Sequence, residues 1–247
     1  MNALYKDAHL KIERANKHIA DLEAAIFEME NTYRATIEQH PDFGAQSVKH
    51  EIPDIEKAFD NLSVIIGDAL HNLHCALDFA WYSTINRCLP DKLSQCTKFP
   101  VRDSSQSLEA TLHGIEVDTR CKPLFDCIVS TIQPYKGGHN SVIWTLHDLD
   151  ISDKHLLLLE PTPQAYIRGI VVRDQSGQTH RGNTWATQSP SPWRIDFESG
   201  ITIEDKGKLF VGITLSEAGI YKGVPVHSLL SSFSQYILYT VNLLENI

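Results

Sequence analysis

The chain has 247 residues, 42% hydrophobic and 21% charged, with a formal net charge of −9, ordinary for a globular protein and long enough for a substantial core in one domain or two tightly packed ones. The negative balance argues against broad nonspecific nucleic-acid binding, leaving room only for a local basic patch. Cys75, Cys88, Cys96, Cys121 and Cys127 form no CxxC pair and are odd in number, no apolar run approaches the roughly 20 residues needed to cross a bilayer, and the polar N-terminus does not read as a signal peptide; a reduced, cytoplasmic protein with no membrane partner is the expectation.

Residues 2–39 read as one long helix. Leu4, Ala8, Ile12, Ala15, Ile19, Leu22, Ile26, Met29, Tyr33 and Ile37 step by three or four, a narrow apolar stripe about 50 Å long at 1.5 Å per residue. That stripe needs a partner. The expected one is the next helix of the same chain, with a homodimer built through the overhanging part of the N-terminal helix. His40, Pro41 and Asp42 end the helix, and Pro53 keeps 44–58 extended or irregular.

The central stretch is 60–89. Leu62, Ile65, Ile66, Ala69, Leu70, Leu73, Leu77 and Ala80 form one helical face, Asp60 or Asn61 can cap its start, and Pro90 stops it. Between Asp60 and Arg87 the only charged residues are Asp68 and Asp78, so the face carries Asp68, His71, Asn72, His74 and Asp78 where an outer helix would carry Lys and Glu. At about 100° per residue His71 and Asp78 fall within about 20° of each other, and Asp68 about 60° from His71. The helix reads as central to the fold, antiparallel to the first.

Residues 98–101 suit a short strand, 104–114 a brief helix, and 122–133 a better one with Pro123 at its start. PYKGGH (134–139) breaks it, and Asn140 or Ser141 caps a helix through Trp144, Leu146 and Leu149. HDLDISDKH (147–155) is a second polar cluster, set before LLLL (156–159), which reads as a buried strand. Strands are then expected at 165–174, 193–199, 201–205 and 208–215, with turns at QSGQ (175–178) and DKGK (205–208), a loop at 188–192, and a closing amphipathic helix at 226–245. The class is α+β: long antiparallel helices with a C-terminal antiparallel β-sheet and a closing helix, 1–155 helical and 156–247 sheet plus helix, packed as one unit. Walker, GxGxxG and GxSxG motifs are missing, which removes the commonest nucleotide and serine-hydrolase readings.

Two readings of the polar ladder compete. Buried Asp and His can be satisfied acceptors and donors that fix the packing. Alternatively Asp and neutral His at helical spacing supply ligands or a base, with residues of the second cluster completing the site. The blocks GDALHNLHCALDFAWY (67–82), IQPY (132–135), IWTLHDLD (143–150) and SDKH (152–155) resemble an uncharacterised bacterial family with GDxxHNLRxALDH, QPY and DKH blocks. The spacing of Arg and His in those blocks is similar to the R-x4–6-H motif of HEPN domains, helical proteins that often act as ribonucleases in defence and toxin systems. The resemblance covers 60–160 and implies a HEPN-like helical core and RNA as partner. This chain departs from the motif, with His74 in place of the arginine and Phe79 in place of the histidine.

Three functional classes follow. In a HEPN-like protein that binds or processes RNA, His71, Asp78, Lys154 and His155 are the candidate catalytic residues and Asn72 and His74 the binding ones. In a metal-dependent hydrolase, Asp68, His71, Asp78 and Asp153, with Asp150 or His155 as further candidates, are the ligands of a divalent metal such as Mn, Fe or Zn. In a noncatalytic scaffold or ligand-binding protein the polar core serves packing alone. Burying the two clusters separately would leave several groups unsatisfied, so His71 or Asp78 is expected close to Asp153, Lys154 or His155.

Overall fold

The computed structural model describes residues 3–40, 44–155, 159, 161–185, 191–215 and 218–247, with the side chains of Asn140, His155, Thr184 and Trp185 left aside. Its fold is α+β, and its spine is a pair of antiparallel helices, α1 (Lys6–Thr32) and α2 (Ile55–Cys88). Direction follows from the pairings: Ser83 Oγ donates to the Leu4 carbonyl, Tyr5 Oη meets Thr84 Oγ1 at 2.9 Å, and Lys11 Nζ donates to Asn72 Oδ1 at 3.3 Å. The α1 stripe is buried as its spacing requires, with Ala8, Ala15 and Leu22 fully buried and Ile12 and Ile19 nearly so. The C-terminal helix α7 (Val226–Glu245) closes the bundle, Tyr5 Oη also donating to the Leu244 carbonyl and Ser234 Oγ to Asn16 Oδ1.

Several boundaries differ from the sequence expectation. The first helix stops at Thr32 rather than 39: Tyr33 turns extended at ψ 151°, and Arg34–Gln39, with Thr36 and Ile37 at its centre, forms β1, antiparallel to β2 (Gln46–Glu51). Two positions expected to end the first helix, Pro41 and Asp42, lie outside the described residues. The second helix begins at Ile55, five residues early, because Ile55, Ala58 and Phe59 continue its apolar face onto the core. α2 is therefore the longer of the pair, and α1 does not outrun it.

Downstream come α3 (Ser105–Gly114), whose Ser104 Oγ accepts the Ser107 N–H, then α4 (Val117–Arg120) and α5 (Lys122–Asp126), which runs on as a π-helical turn, Cys127–Ile132. No strand forms at 98–101, and the next residue, Arg102, makes an isolated bridge to Tyr135. Phe99 instead packs edge-on against Trp81, ring centroids 5.8 Å apart. The helix α6 (Val142–His155) runs straight through the second polar cluster rather than ending near Leu149. The expected strand at 156–159 falls on 156–158, outside the described residues; Leu159 is buried.

The strands build two three-stranded antiparallel sheets instead of one larger sheet. One has the order β1-β2-β5, with β5 at Trp193–Phe197; the other is β4-β3-β6, with β3 (Pro161–Arg173), β4 (Thr179–Trp185) and β6 (Thr202–Leu215). The expected hairpin turn at DKGK is a bend inside the continuous strand β6. Gly207 has φ +73°, and a Cβ there would come within 2.8 Å of the Arg168 carbonyl oxygen, so the turn-like glycine serves a close strand approach. The turn at 175–178 does form, Asp174 Oδ1 accepting the amides of Ser176 and Gln178. It leads into β4, whose polar sequence THRGNTW carries no alternating apolar signal. Because β2 pairs with β5, strands from before residue 155 join strands from after it.

Candidate functional site: a polar seam between two helices

α2 and α6 meet along a line of charged and imidazole side chains. Close approach is permitted by Gly67 of α2, since a Cβ at that position would lie 2.4 Å from Asp153 Oδ2 of α6. A three-and-four spacing on α6 places His147, Asp150 and Lys154 on one face, opposite His71, His74 and Asp78 of α2.

Asp150 is the hub. Its side chain is 2% exposed, and three basic groups converge on it: Lys154 Nζ donates to Oδ2 at 2.5 Å, His71 Nδ1 faces Oδ1 at 3.3 Å, and His74 Nδ1 lies 3.6 Å from Oδ2. A carboxylate only accepts, so the nitrogen that His71 turns toward it carries the proton. In the neutral ring His71 Nε2 then holds the lone pair, and its closest described partner is Cys75 Sγ at 3.4 Å. The same sulfur is 3.9 Å from Nδ1, so the thiol rests beside the ring rather than along the Nε2 lone pair, and the His71 side chain is 45% exposed.

His74 belongs to a second chain. Its Nε2 shares a 2.9 Å hydrogen bond with His147 Nδ1, and its Nδ1 lies 3.8 Å from Asp78 Oδ2. The ring centroids are 5.1 Å apart, as expected for rings joined end-on through that bond rather than stacked face to face. Such a bond needs one donor and one acceptor, so the two imidazoles cannot both be cationic while it persists. Burial pushes the His74 imidazolium below the ordinary histidine range, with Asp150 pulling it up and Lys154 pushing it down. His147 is lowered by burial and by His74 beside it.

The carboxyl groups around the seam shift the other way. Burial raises Asp78 above the usual carboxylate range, against the Phe99 N–H that donates to its Oδ1 at 2.8 Å and the charge of Lys98. Burial likewise raises Asp153, against a hydrogen bond from the Leu159 amide and with Asp150 and Asp68 adding to the rise. Asp153 Oδ1 is buried with no hydrogen-bond partner among the described residues.

The two clusters meet at Asp150, and among the described residues no hydrogen bond or ion pair joins His71 or Asp78 to Asp153 or Lys154, the pairs expected from sequence. Asp68 is exposed, and its carbonyl accepts from Asn72 Nδ2 at 2.7 Å. Asn72 uses its Oδ1 for Lys11, a tie to α1. The side chain of His155 lies outside the described residues. Among the described residues no group of three or more His, Cys, Asp or Glu side chains is disposed to hold a metal ion. Sequence reasoning did not place Cys75 or His147 at the site and gave Asp150 only as an optional ligand. Reading 142–155 as one helix would have put His147, Asp150 and Lys154 on a single face. No family model, curated protein or solved structure matches this chain significantly.

Proposed function

We propose that the α2–α6 seam is an acid–base site, and that its substrate class is RNA. The observation that carries the acid–base reading is the half-exposed His71 imidazole held through Nδ1 by buried Asp150, which leaves Nε2 as the basic nitrogen. In this reading His71 takes the proton of a ribose 2′-hydroxyl as that oxygen attacks the adjacent phosphorus; the 5′-oxygen leaves, giving a 2′,3′-cyclic phosphate. Lys154 supplies positive charge for the phosphate, and the His74–His147 pair is a second proton carrier one turn along α2. RNA enters through the resemblance to HEPN proteins, and the proton chemistry moves from the position now held by Phe79, which cannot perform it, to His71.

The test is incubation of the purified protein with a mixed single-stranded RNA pool. Cleavage with cyclic-phosphate ends is expected, reduced about 100-fold or more in His71→Gln. An intact pool, or equal cleavage by His71→Gln, overturns it. A second reading, a noncatalytic scaffold, is favoured by Asp78, whose carboxylate holds the Phe99 amide, and by Asn72, which ties α1 to α2. It predicts that seam substitutions change stability alone. A homodimer remains a proposal of contact elsewhere, since Ile12 and Ile19 are buried inside the protomer.

A further inference from the structure

We propose that a cavity beside the first turns of α6 binds a small zwitterion with an apolar side chain, a free α-amino acid of the leucine or phenylalanine kind. The cavity measures about 370 Å³, and its walls come from the 136–141 loop, from Trp144, Thr145 and Asp148 of α6, and from Gly219 and Ile220. That size lies at the small end of the roughly 300–1,000 Å³ range of ligand pockets, which suits a metabolite of few atoms rather than a large cofactor. Trp144, Thr145 and Asp148 share a face of α6 turned more than about 100° from the one that carries His147, Asp150 and Lys154. The cavity therefore has no residue in common with the seam, and it stands or falls independently of the RNA reading.

Thr145 is 4% exposed, yet its hydroxyl makes no hydrogen bond among the described residues. The helical threonines Thr84, Thr111 and Thr240 each donate to the carbonyl four residues back, the usual way such a hydroxyl is satisfied. A buried hydroxyl without a partner is costly, and a polar ligand in the cavity that Thr145 lines offsets that cost. Lys136 Nζ sits over the Trp144 ring, 4.7 Å from its centroid, and the indole N–H donates to Asp103 Oδ1 at 3.4 Å, so the ammonium is held at the cavity wall. Ser141 Oγ accepts the Gly137 N–H at 3.0 Å and ties the loop bearing Lys136 to the start of α6. Among the described residues neither Lys136 nor the exposed Asp148 takes part in an ion pair. Ile220, at 71%, is the most exposed large apolar side chain among the described residues.

These charges select the class of ligand. A phosphate would meet Asp148 as well as Lys136, and a simple amine would meet Lys136 as well as Asp148; a molecule with both a carboxylate and an ammonium answers the two together. The carboxylate accepts from Lys136 Nζ, the ammonium donates to Asp148, and Thr145 Oγ1 bonds to either group. The apolar side chain then covers Ile220 and the edge of Trp144, surface that is otherwise left to water.

The experiment titrates the full-length protein with L-phenylalanine and L-leucine near neutral pH by isothermal calorimetry, with glycine, phenylalaninamide and N-acetylphenylalanine as comparisons. Saturable binding of both apolar amino acids is expected. Affinity should fall about 10-fold or more for the amide, which lacks the carboxylate, and for the acetyl derivative, which lacks the ammonium. Glycine, without an apolar side chain, should also bind about 10-fold or more weakly than phenylalanine. Lys136→Met and Asp148→Asn should each weaken phenylalanine about 10-fold, and Thr145→Val, which keeps the side-chain shape, about 5-fold. No saturable heat with either apolar amino acid overturns the proposal, as does equal affinity for phenylalanine, its amide and its acetyl derivative. Unchanged phenylalanine affinity in folded Lys136→Met and Asp148→Asn proteins overturns it too. The analogue comparisons use the wild type, so they decide the matter even where a variant fails to fold.

Discussion

Replacing Asp150 by Asn keeps the size of the side chain and removes the charge on which the seam converges. The amide oxygen can still accept from His71 Nδ1, but the new N–H donors face Lys154 Nζ, which has no acceptor, and His74 Nδ1, which accepts only in the tautomer that donates Nε2–H to His147. Breaking a fully buried ion pair costs about 3–5 kcal/mol. Here the Lys154 side chain is 34% exposed and His71 more so; both can turn to water, which reduces the expected cost to about 2 kcal/mol. For a chain of this length that lowers Tm by about 4–8 °C. The pH dependence is more diagnostic than the size. His74 titrates below its unfolded value of about 6.5, so acidification protonates the unfolded chain first and stability falls as pH drops through and below that value. Asp150 raises His74 and Lys154 lowers it; Asp150→Asn should therefore steepen the acid loss and Lys154→Met should flatten it. Urea denaturation of the three proteins at several pH values between about 5.5 and 8 measures both slopes. Slopes that shift in the same direction, or an Asp150→Asn protein as stable as wild type, refute the reasoning.

Asp78→Asn retains an acceptor for the Phe99 amide and should cost less than about 1 kcal/mol, whereas Asp78→Ala strands that N–H and should cost about 1–3 kcal/mol in thermal or urea melts. Gly67→Ala would stabilise an open helix by about 1 kcal/mol, but here the new methyl meets Asp153 and should destabilise by about 1–3 kcal/mol. In His147→Asn the loss of stability on acidification should be smaller than in wild type, because a buried imidazole of lowered affinity for protons has been removed. Metal analysis of protein purified without added metal should find less than stoichiometric transition metal, since the seam offers no three-ligand group among the described residues.

The helices were legible because burial writes a period into them: α2 and α7 follow their three-and-four stripes closely, and the antiparallel pairing of α1 with α2 follows from two facing stripes. The failures came where two periods overlap or a residue has two uses. Tyr33 and Ile37 continue the helical stripe of α1, and pairing of Arg34–Gln39 with β2 decides the outcome. Gly207 imitates a turn because close strand approach and a tight turn both require a missing Cβ. At the site, the polar face of α2 was evident from its lack of Lys and Glu, but Asp150 was not, because sequence spacing does not show which of three aspartates on α6 faces inward.

Asp150 fixes the His71 ring with Nδ1 protonated and Nε2 as the basic nitrogen. Nitrogen-15 chemical shifts of the histidine rings, recorded at a pH where His71 is neutral, read this tautomer directly. His71 should be Nδ1–H in the wild type and a mixture of tautomers in Asp150→Asn. An Nε2–H tautomer in the wild type, unchanged by Asp150→Asn, would contradict it.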